Sequence, residues 1–200
     1  MVKAVVFDVG GVLVDLDMDR CIRAFREELG FARITEVLDP CHQKGVFEDM
    51  EAGRISADDF RAAVLRESRP GAAPADVDRC LQALLAGVQP ESARAVLDVA
   101  KRYPIYLLSN NNPICMPACL AQLREAGVDP SLFKDMFISA EMKMLKPSAA
   151  FYREVVRRIG AAPEEIVFID DSPRNVDGAR AVGIDARLFV PGTSLAAILP

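Results

Sequence analysis

Four polar clusters in this chain stand just after short apolar runs, and together they hold the residue types that move a phosphoryl group. Asp8 follows "VVF", and Ser109, Asn110 and Asn111 follow "IYLL". Lys146 lies in "KMLKPS" beyond "MFI", and the pair Asp170 and Asp171 closes "IVFIDD". Taken singly, each has a plain structural use: a turn-forming aspartate, a helix cap, a solvated lysine, the acidic start of a helix. Their joint order argues for chemistry. Three carboxylates brought within a few ångströms raise one another's pKa unless a divalent cation neutralises them. Magnesium suits such a site, because it is a hard ion that takes one or two carboxylates together with water and substrate phosphate. Asp8 then stays ionised and able to attack, while Lys146 supplies charge for an anionic substrate. Ser109 and the N–H groups at the following helix start can hold phosphate oxygens. Phosphoryl transfer asks for little beyond positioning and charge neutralisation.

The elements that must position these groups are legible as buried strands. Runs of Val, Ile, Leu and Phe at Val2 to Phe7, Ile105 to Leu108, Met136 to Ile138, Ile166 to Ile169 and Ala186 to Val190 read as such. Helical stripes separate the later ones, among them Val96, Val99, Ala100 and Tyr103, and Phe151, Val155, Val156 and Ile159. Ser172 and Pro173 predict the start of another helix, and Gly183 its end. Alternation of strand and helix predicts an α/β fold with a Rossmann-like parallel sheet flanked by helices. In such sheets ligands bind at the carboxyl ends of the strands, where all four clusters would converge. Between the first and second strands, from about Leu16 to Gln89, no strand is evident and the pattern is helical throughout. The expected organisation is a core of residues 1–15 and 90–200 interrupted by a helical-bundle cap at 16–89. Within it, Ser56 and Asp59 form a capping-box pattern, with Ile55 and Phe60 placed as a hydrophobic staple. "RPGAAPA" reads as a helix-to-helix loop.

The chain has 200 residues, of which 51% are hydrophobic, enough for a sizeable core. A net charge of −5 with interspersed signs argues against nucleic acid or an anionic membrane as partner and for a small soluble one. No signal-like or membrane-spanning stretch is evident, so the cytoplasm is the expected compartment. The five cysteines Cys21, Cys41, Cys80, Cys115 and Cys119 lack zinc-site spacing, and His42 is the sole histidine. Buried free thiols are the expectation.

The segments "FDVGGVL", "LLSNNN", "LKPSAAFY" and "VFIDDSPRNVDGARAVG" resemble, in order and spacing, the four motifs of the haloacid dehalogenase-like hydrolase superfamily. The resemblance spans essentially the whole chain and implies a lid-like cap after the first motif. It also implies Asp8 as the nucleophile that becomes an aspartyl phosphate. Asp8, the backbone carbonyl of Gly10, Asp170 and Asp171 would hold magnesium, and Ser109, Asn110 and Lys146 the phosphoryl group. Dehalogenating members of the family release halide without metal and lack the acidic pair, so Asp170 and Asp171 point to a phosphatase acting on a small phosphorylated metabolite.

Two features depart from the family pattern. Most phosphatase members carry a second aspartate two residues after the nucleophile, which protonates the leaving group and then activates water; here Gly10 stands there. General acid–base help is worth about 10²- to 10⁴-fold, so substrates with acidic leaving oxygens, such as anomeric sugar phosphates, would tolerate its loss best. Ser148 likewise replaces the usual acid after "KP", and Lys146, next to Pro147, fits the motif better than Lys143. A branch similar to the bacterial α-D-glucose 1-phosphate phosphatase shares the glycine and a segment like "EAGRIS", which favours a sugar 1-phosphate. Gly10 also motivates a competing possibility, a weakly active or inactive phospho-ligand-binding or interaction module. The retained Asp8, Lys146 and acidic pair favour the enzyme. Asp15 and Asp17 are expected to shape the start of the cap rather than replace the missing acid. Glu51 and Arg54 lie in a turn that could face the cleft, though a structural role suits them better.

Overall fold

A computed structural model of the chain describes residues 1–38 and 43–200. Cys41 and His42 lie outside the described residues. In chain order the elements are β1 (Ala4–Phe7), β2 (Asp15–Leu16), α1 (Met18–Glu27), α2 (Ile34–Val37), α3 (Val46–Glu51), α4 (Ala57–Arg66), α5 (Pro74–Gln82) and β3 (Leu85–Gly87). There follow α6 (Pro90–Ala100), β4 (Ile105–Ser109), α7 (Cys115–Glu125), β5 (Phe133–Ile138), α8 (Ser139–Met142), α9 (Ala149–Ile159), β6 (Ile166–Asp170), α10 (Pro173–Arg180) and β7 (Asp185–Leu188).

Among the described residues, five strands form one parallel sheet in the order β5-β4-β1-β6-β7. All four residues of β1 are buried, as expected for the central strand of a sheet covered on both faces. Val5, Phe7, Leu107, Val167 and Ile169 pack on one face against α6 and α7. Ala4, Val6, Leu108 and Phe168 pack on the other against α9 and α10. Because side chains alternate along a strand, Asp8 and Asp170 fall on the face of Val6 and Phe168. Phe7 pairs with both Leu107 and Ile169, and the Asp8 N–H donates to the Ile169 carbonyl at 2.9 Å. The register therefore brings Asp8 beside Asp170 and the end of β4.

Helices α1 to α5 bury a separate apolar cluster that includes Phe25, Phe47, Phe60 and Val64 and is completed by Ile114 and Cys115 at the start of α7. The Ser56 and Asp59 side chains cap α4 reciprocally, at 3.1 Å in each direction. Asp17 caps α1 through the Arg20 N–H at 2.8 Å, and Asp15 accepts from the Gln89 amide. Both aspartates thus serve the entry to the helical segment.

The helix start expected at Ser172 and Pro173 is present, with Pro173 the first residue of α10, whereas the strand-free reading of the inserted span needs correction. The span from Leu16 to Gln89 is not free of strands: β2 and β3 form a short antiparallel ribbon at its two ends. Strands of two and three residues are too short to leave an alternation in the sequence. Ser172 occupies the N-cap position of α10, but its side chain makes no capping bond; its N–H instead donates to Asp170 Oδ1 at 2.8 Å. Cys21, Cys80, Cys115 and Cys119 are buried free thiols. Among the described residues no helix is long and apolar enough to cross a membrane.

Candidate active site

The three carboxylates of Asp8, Asp170 and Asp171 each place one oxygen within 4.8 Å of the others, at the carboxyl ends of β1 and β6. An all-oxygen, anionic donor set of this size fits a hard divalent cation such as magnesium or calcium and disfavours metals that seek sulfur or nitrogen. Lys146 reaches into the cluster from the loop before α9. Its Nζ lies 2.8 Å from Asp8 Oδ2 and 2.7 Å from Asp170 Oδ2, and donates to the Leu108 carbonyl at 3.1 Å. Three acceptors meet the three N–H bonds of one ammonium. The group is buried, with Nζ also 5.5 Å from the centre of the Phe168 ring.

Asn110 holds this lysine by its backbone. Its amide donates to the Lys146 carbonyl at 3.1 Å and its Oδ1 accepts the Lys146 N–H at 2.8 Å. The side chain expected on the phosphoryl group is thus engaged at both ends with residue 146. Ser109 is buried and lines one cavity with Asp8 and Lys146. Asn112 turns inward to cap α7, accepting from the Ile114 and Cys115 N–H groups at 3.1 and 2.9 Å. Asn175, which the sequence did not single out, donates to Asp170 at 3.0 and 3.2 Å from the first turn of α10. Its position five residues after Asp170, behind a proline that starts a helix, was the available signal. Close packing sets this helix: a Cβ on Gly178 would meet Pro147 Cβ at 2.8 Å and its carbonyl at 2.9 Å.

The two glycines after Asp8 have different constraints. Gly11 has φ +78°, and a Cβ there would fall 2.1 Å from Asp171 Oδ2, so the acidic pair requires a glycine at that point. Gly10 has no such conformation, and its Cβ would meet only the Leu16 side chain at 3.4 Å. The missing second carboxylate is therefore not imposed by lack of room at its Cβ.

Asp8, Asp171, Lys146, Ser109, Asn110 and Asn175 line a cavity of about 640 Å³ between the sheet and the helical segment, together with Gly10, Ser148 and Glu51, while Asp170 lies fully buried behind them. Glu51, at the end of α3, thus faces the cleft, whereas Arg54 pairs with Asp49 and Glu48 at 2.7 and 3.0 Å near the surface. Burial raises the Asp8 carboxyl to about 7; Lys146 opposes the rise, and the charges of Asp170 and Asp171 add to it. Asp171 is raised by burial and by Asp170. Burial works against the charge of Lys146, but Asp170 and Asp8 outweigh it and hold the ammonium above its usual value. Glu51 is raised to about 8, by burial first and then by the charge of Asp8.

A pH dependence of stability follows. Both Asp8 and Glu51 keep their protons in the folded chain above the values near 3.8 and 4.5 at which they lose them when unfolded. The folded state binds more protons across this window, so stability falls as pH rises. It is fully present below pH about 4 and lost progressively through about 7 to 8. Chelator-treated protein should melt at a lower temperature at pH 8.5 than at pH 5, measured by circular dichroism, and a divalent cation should restore more at the higher pH. A melting temperature that rises across this range would contradict the burial of these carboxyls.

A family model described as haloacid dehalogenase-like hydrolase matches residues 2–183, and the chain belongs to that family. Among its relatives is the D-ribitol-5-phosphate phosphatase of Bacteroides thetaiotaomicron, 30% identical over 187 residues that cover 92% of this chain and 90% of that protein. A haloacid dehalogenase family enzyme of the same organism, solved in complex with magnesium and inorganic phosphate, superposes with a TM-score of 0.88 at 28% identity, covering 100% of both chains. A predicted HAD-like family hydrolase of Porphyromonas gingivalis superposes with a TM-score of 0.89 at 32% identity, covering 99% of this chain and 96% of that one.

Proposed function

We propose that this hydrolase is a magnesium-dependent phosphatase of small phosphorylated sugars or polyols, with Asp8 as its nucleophile. The observation that carries this is the convergence of Asp8, Asp170 and Asp171 on one point with Lys146 between two of them. The relatives support it, one named for a sugar-alcohol phosphate and another solved with magnesium and phosphate. Asp8, Asp170, Asp171 and the Gly10 carbonyl would hold the ion, which neutralises the carboxylates and the substrate phosphate when bound. Asp8 attacks phosphorus, forming an aspartyl phosphate that water then opens. Lys146 stands beside the nucleophile as a fixed positive charge, and Ser109 with the backbone N–H groups after it holds phosphoryl oxygens. Asn110 contributes by fixing the backbone of Lys146. Residues 16–89 serve as a cap that closes over the core of residues 1–15 and 90–200 and excludes water. Its buried free thiols suit a reducing compartment, and the cytoplasm is the proposed location.

Two substrate classes have separate support. Gly10 favours a sugar 1-phosphate, whose anomeric leaving oxygen needs little protonation, while the ribitol-5-phosphate relative favours an ester of a primary alcohol. A panel containing glucose 1-phosphate, glucose 6-phosphate and ribitol 5-phosphate, assayed for phosphate release with magnesium and after chelation, separates them. Turnover that requires magnesium is expected. Undiminished turnover after chelation, or none on any phosphate ester, would contradict the assignment.

A further inference from the structure

A phosphatase without a carboxylate at Gly10 still has to deliver a proton to the leaving oxygen and take one from water. Among the described residues two further carboxyls, Glu48 and Glu51, line the cavity that Asp8 occupies, both from α3; Glu48 pairs with Arg54 at 3.0 Å, which leaves Glu51 without an assigned role. We propose that Glu51, at the end of α3, is the general acid and base of this site. The proposal rests on the phosphatase function given above and adds a catalytic residue to it.

Three observations carry it. Glu51 and Asp8 line the same cavity, and the groups that set the Glu51 environment are Asp8 and Lys146 from the core, Glu48 on its own helix and the Cys115 thiol of α7. Its backbone is latched to the core: the buried Ser139 hydroxyl donates to the Glu51 carbonyl at 2.6 Å and accepts the Asn111 N–H at 3.0 Å. Ser139 thereby ties Glu51 to Asn111, in the loop that follows Ser109 at the end of β4. Two residues on, Gly53 has φ +65° and sits so close to α8 that a Cβ would lie 2.1 Å from the Ala140 carbonyl. No other residue type fits that approach, so the turn of "EAG" is built to seat Glu51 against the core. A carboxyl protonated near neutral pH, as burial makes this one, is in the form an acid catalyst needs.

The proton balance closes. As an Asp8 oxygen bonds to phosphorus and the ester P–O bond breaks, the Glu51 carboxyl gives its proton to the departing oxygen, which leaves as the alcohol. Water then attacks the aspartyl phosphate, Glu51 takes one water proton, and the bond from Asp8 to phosphorus breaks to release inorganic phosphate. Both Asp8 and Glu51 return to their starting states. Because the acid arrives on the cap, alcohols too poor to leave unaided come within reach of a site whose core supplies no acid at Gly10.

The test compares leaving groups. In the magnesium-loaded protein, Glu51→Gln should lower kcat/KM for ribitol 5-phosphate by about 10²- to 10⁴-fold. It should leave kcat/KM for 4-nitrophenyl phosphate nearly unchanged, because that phenolate needs no acid. The same variant should give a burst of nitrophenolate, since hydrolysis of the aspartyl phosphate has lost its base. Ser139→Ala, which keeps the carboxyl but loosens its backbone, should move the ratio of the two kcat/KM values the same way by a smaller factor. Equal losses on both esters, or no loss on either, would overturn the assignment even if folding is intact by thermal melting. Asp8→Asn run in parallel separates the two levels. If it retains turnover, the phosphatase function fails; if it is dead while the Glu51 variants ignore the leaving group, only the Glu51 role fails.

Discussion

Asp8→Asn is expected to abolish magnesium-dependent phosphate release, lowering kcat by roughly 10⁴- to 10⁶-fold, the scale seen when a nucleophile is removed from a concerted site. The amide keeps the shape of the carboxylate but cannot form the acyl phosphate. Its effect on stability should have the opposite sign. Burial, with the neighbouring acids, holds the Asp8 carboxyl up to about 7, so its ionised form strains the fold at alkaline pH. A neutral isostere relieves that strain. The variant should therefore melt no lower than the parent at pH 8 in chelator, measured by circular dichroism. A dead but equally stable protein assigns the loss to chemistry, whereas one that retains turnover rules out Asp8 as nucleophile.

Lys146→Met should affect both stability and rate. The ammonium meets Asp8, Asp170 and the Leu108 carbonyl at 2.8, 2.7 and 3.1 Å, and its removal leaves two buried carboxylates facing one another. Breaking a buried ion pair from one side costs about 3 to 5 kcal/mol. The carboxyls can partly escape by binding protons, so the loss should be larger at pH 8 than at pH 5.5, read from urea midpoints at the two pH values. Turnover should fall by about 10²- to 10³-fold, the usual cost of removing one fixed donor from a transition state. Lys146→Arg should not rescue it, because a planar fork cannot place one atom among three converging acceptors. Equal stability of parent and Lys146→Met at pH 8 would contradict the geometry of the triad.

The strands that carry this chemistry were legible because they are central. The runs at β1, β4 and β6 are almost wholly apolar, and each leads to the residue that matters: Asp8 directly after β1, and Ser109 and Asp170 as the last residues of β4 and β6. The edge strands were less clear. β5 begins at Phe133, before Lys134 and Asp135, whose polarity interrupts the apolar run over the first half of the strand. β7 spans Asp185–Leu188 rather than Ala186 to Val190, and its outer residues are exposed.

The roles of individual side chains were harder to read where they depend on contacts distant in sequence. Nothing local distinguishes Asn110, whose amide is spent on the backbone of Lys146, from a phosphate ligand. Glu51 looked like a turn residue before the Ser56 cap. Its place in the cavity follows from Ser139 and from the contact of Gly53 with Ala140, both about 90 residues away, which no spacing rule encodes. Gly10 was legible as a departure, but only the geometry separates it from Gly11: one glycine is required by Asp171, and the other has room at its Cβ.

The central claim is that Asp8 carries the phosphoryl group in turnover. Acid quenching during steady-state turnover of a phosphate ester with magnesium, followed by borohydride reduction and peptide mass spectrometry, tests it directly. Reduction of an aspartyl phosphate yields homoserine, so the peptide containing "FDVGGVL" should carry homoserine at position 8. An unmodified Asp8 from enzyme that is turning over, or homoserine at Asp170 or Asp171 instead, would contradict it.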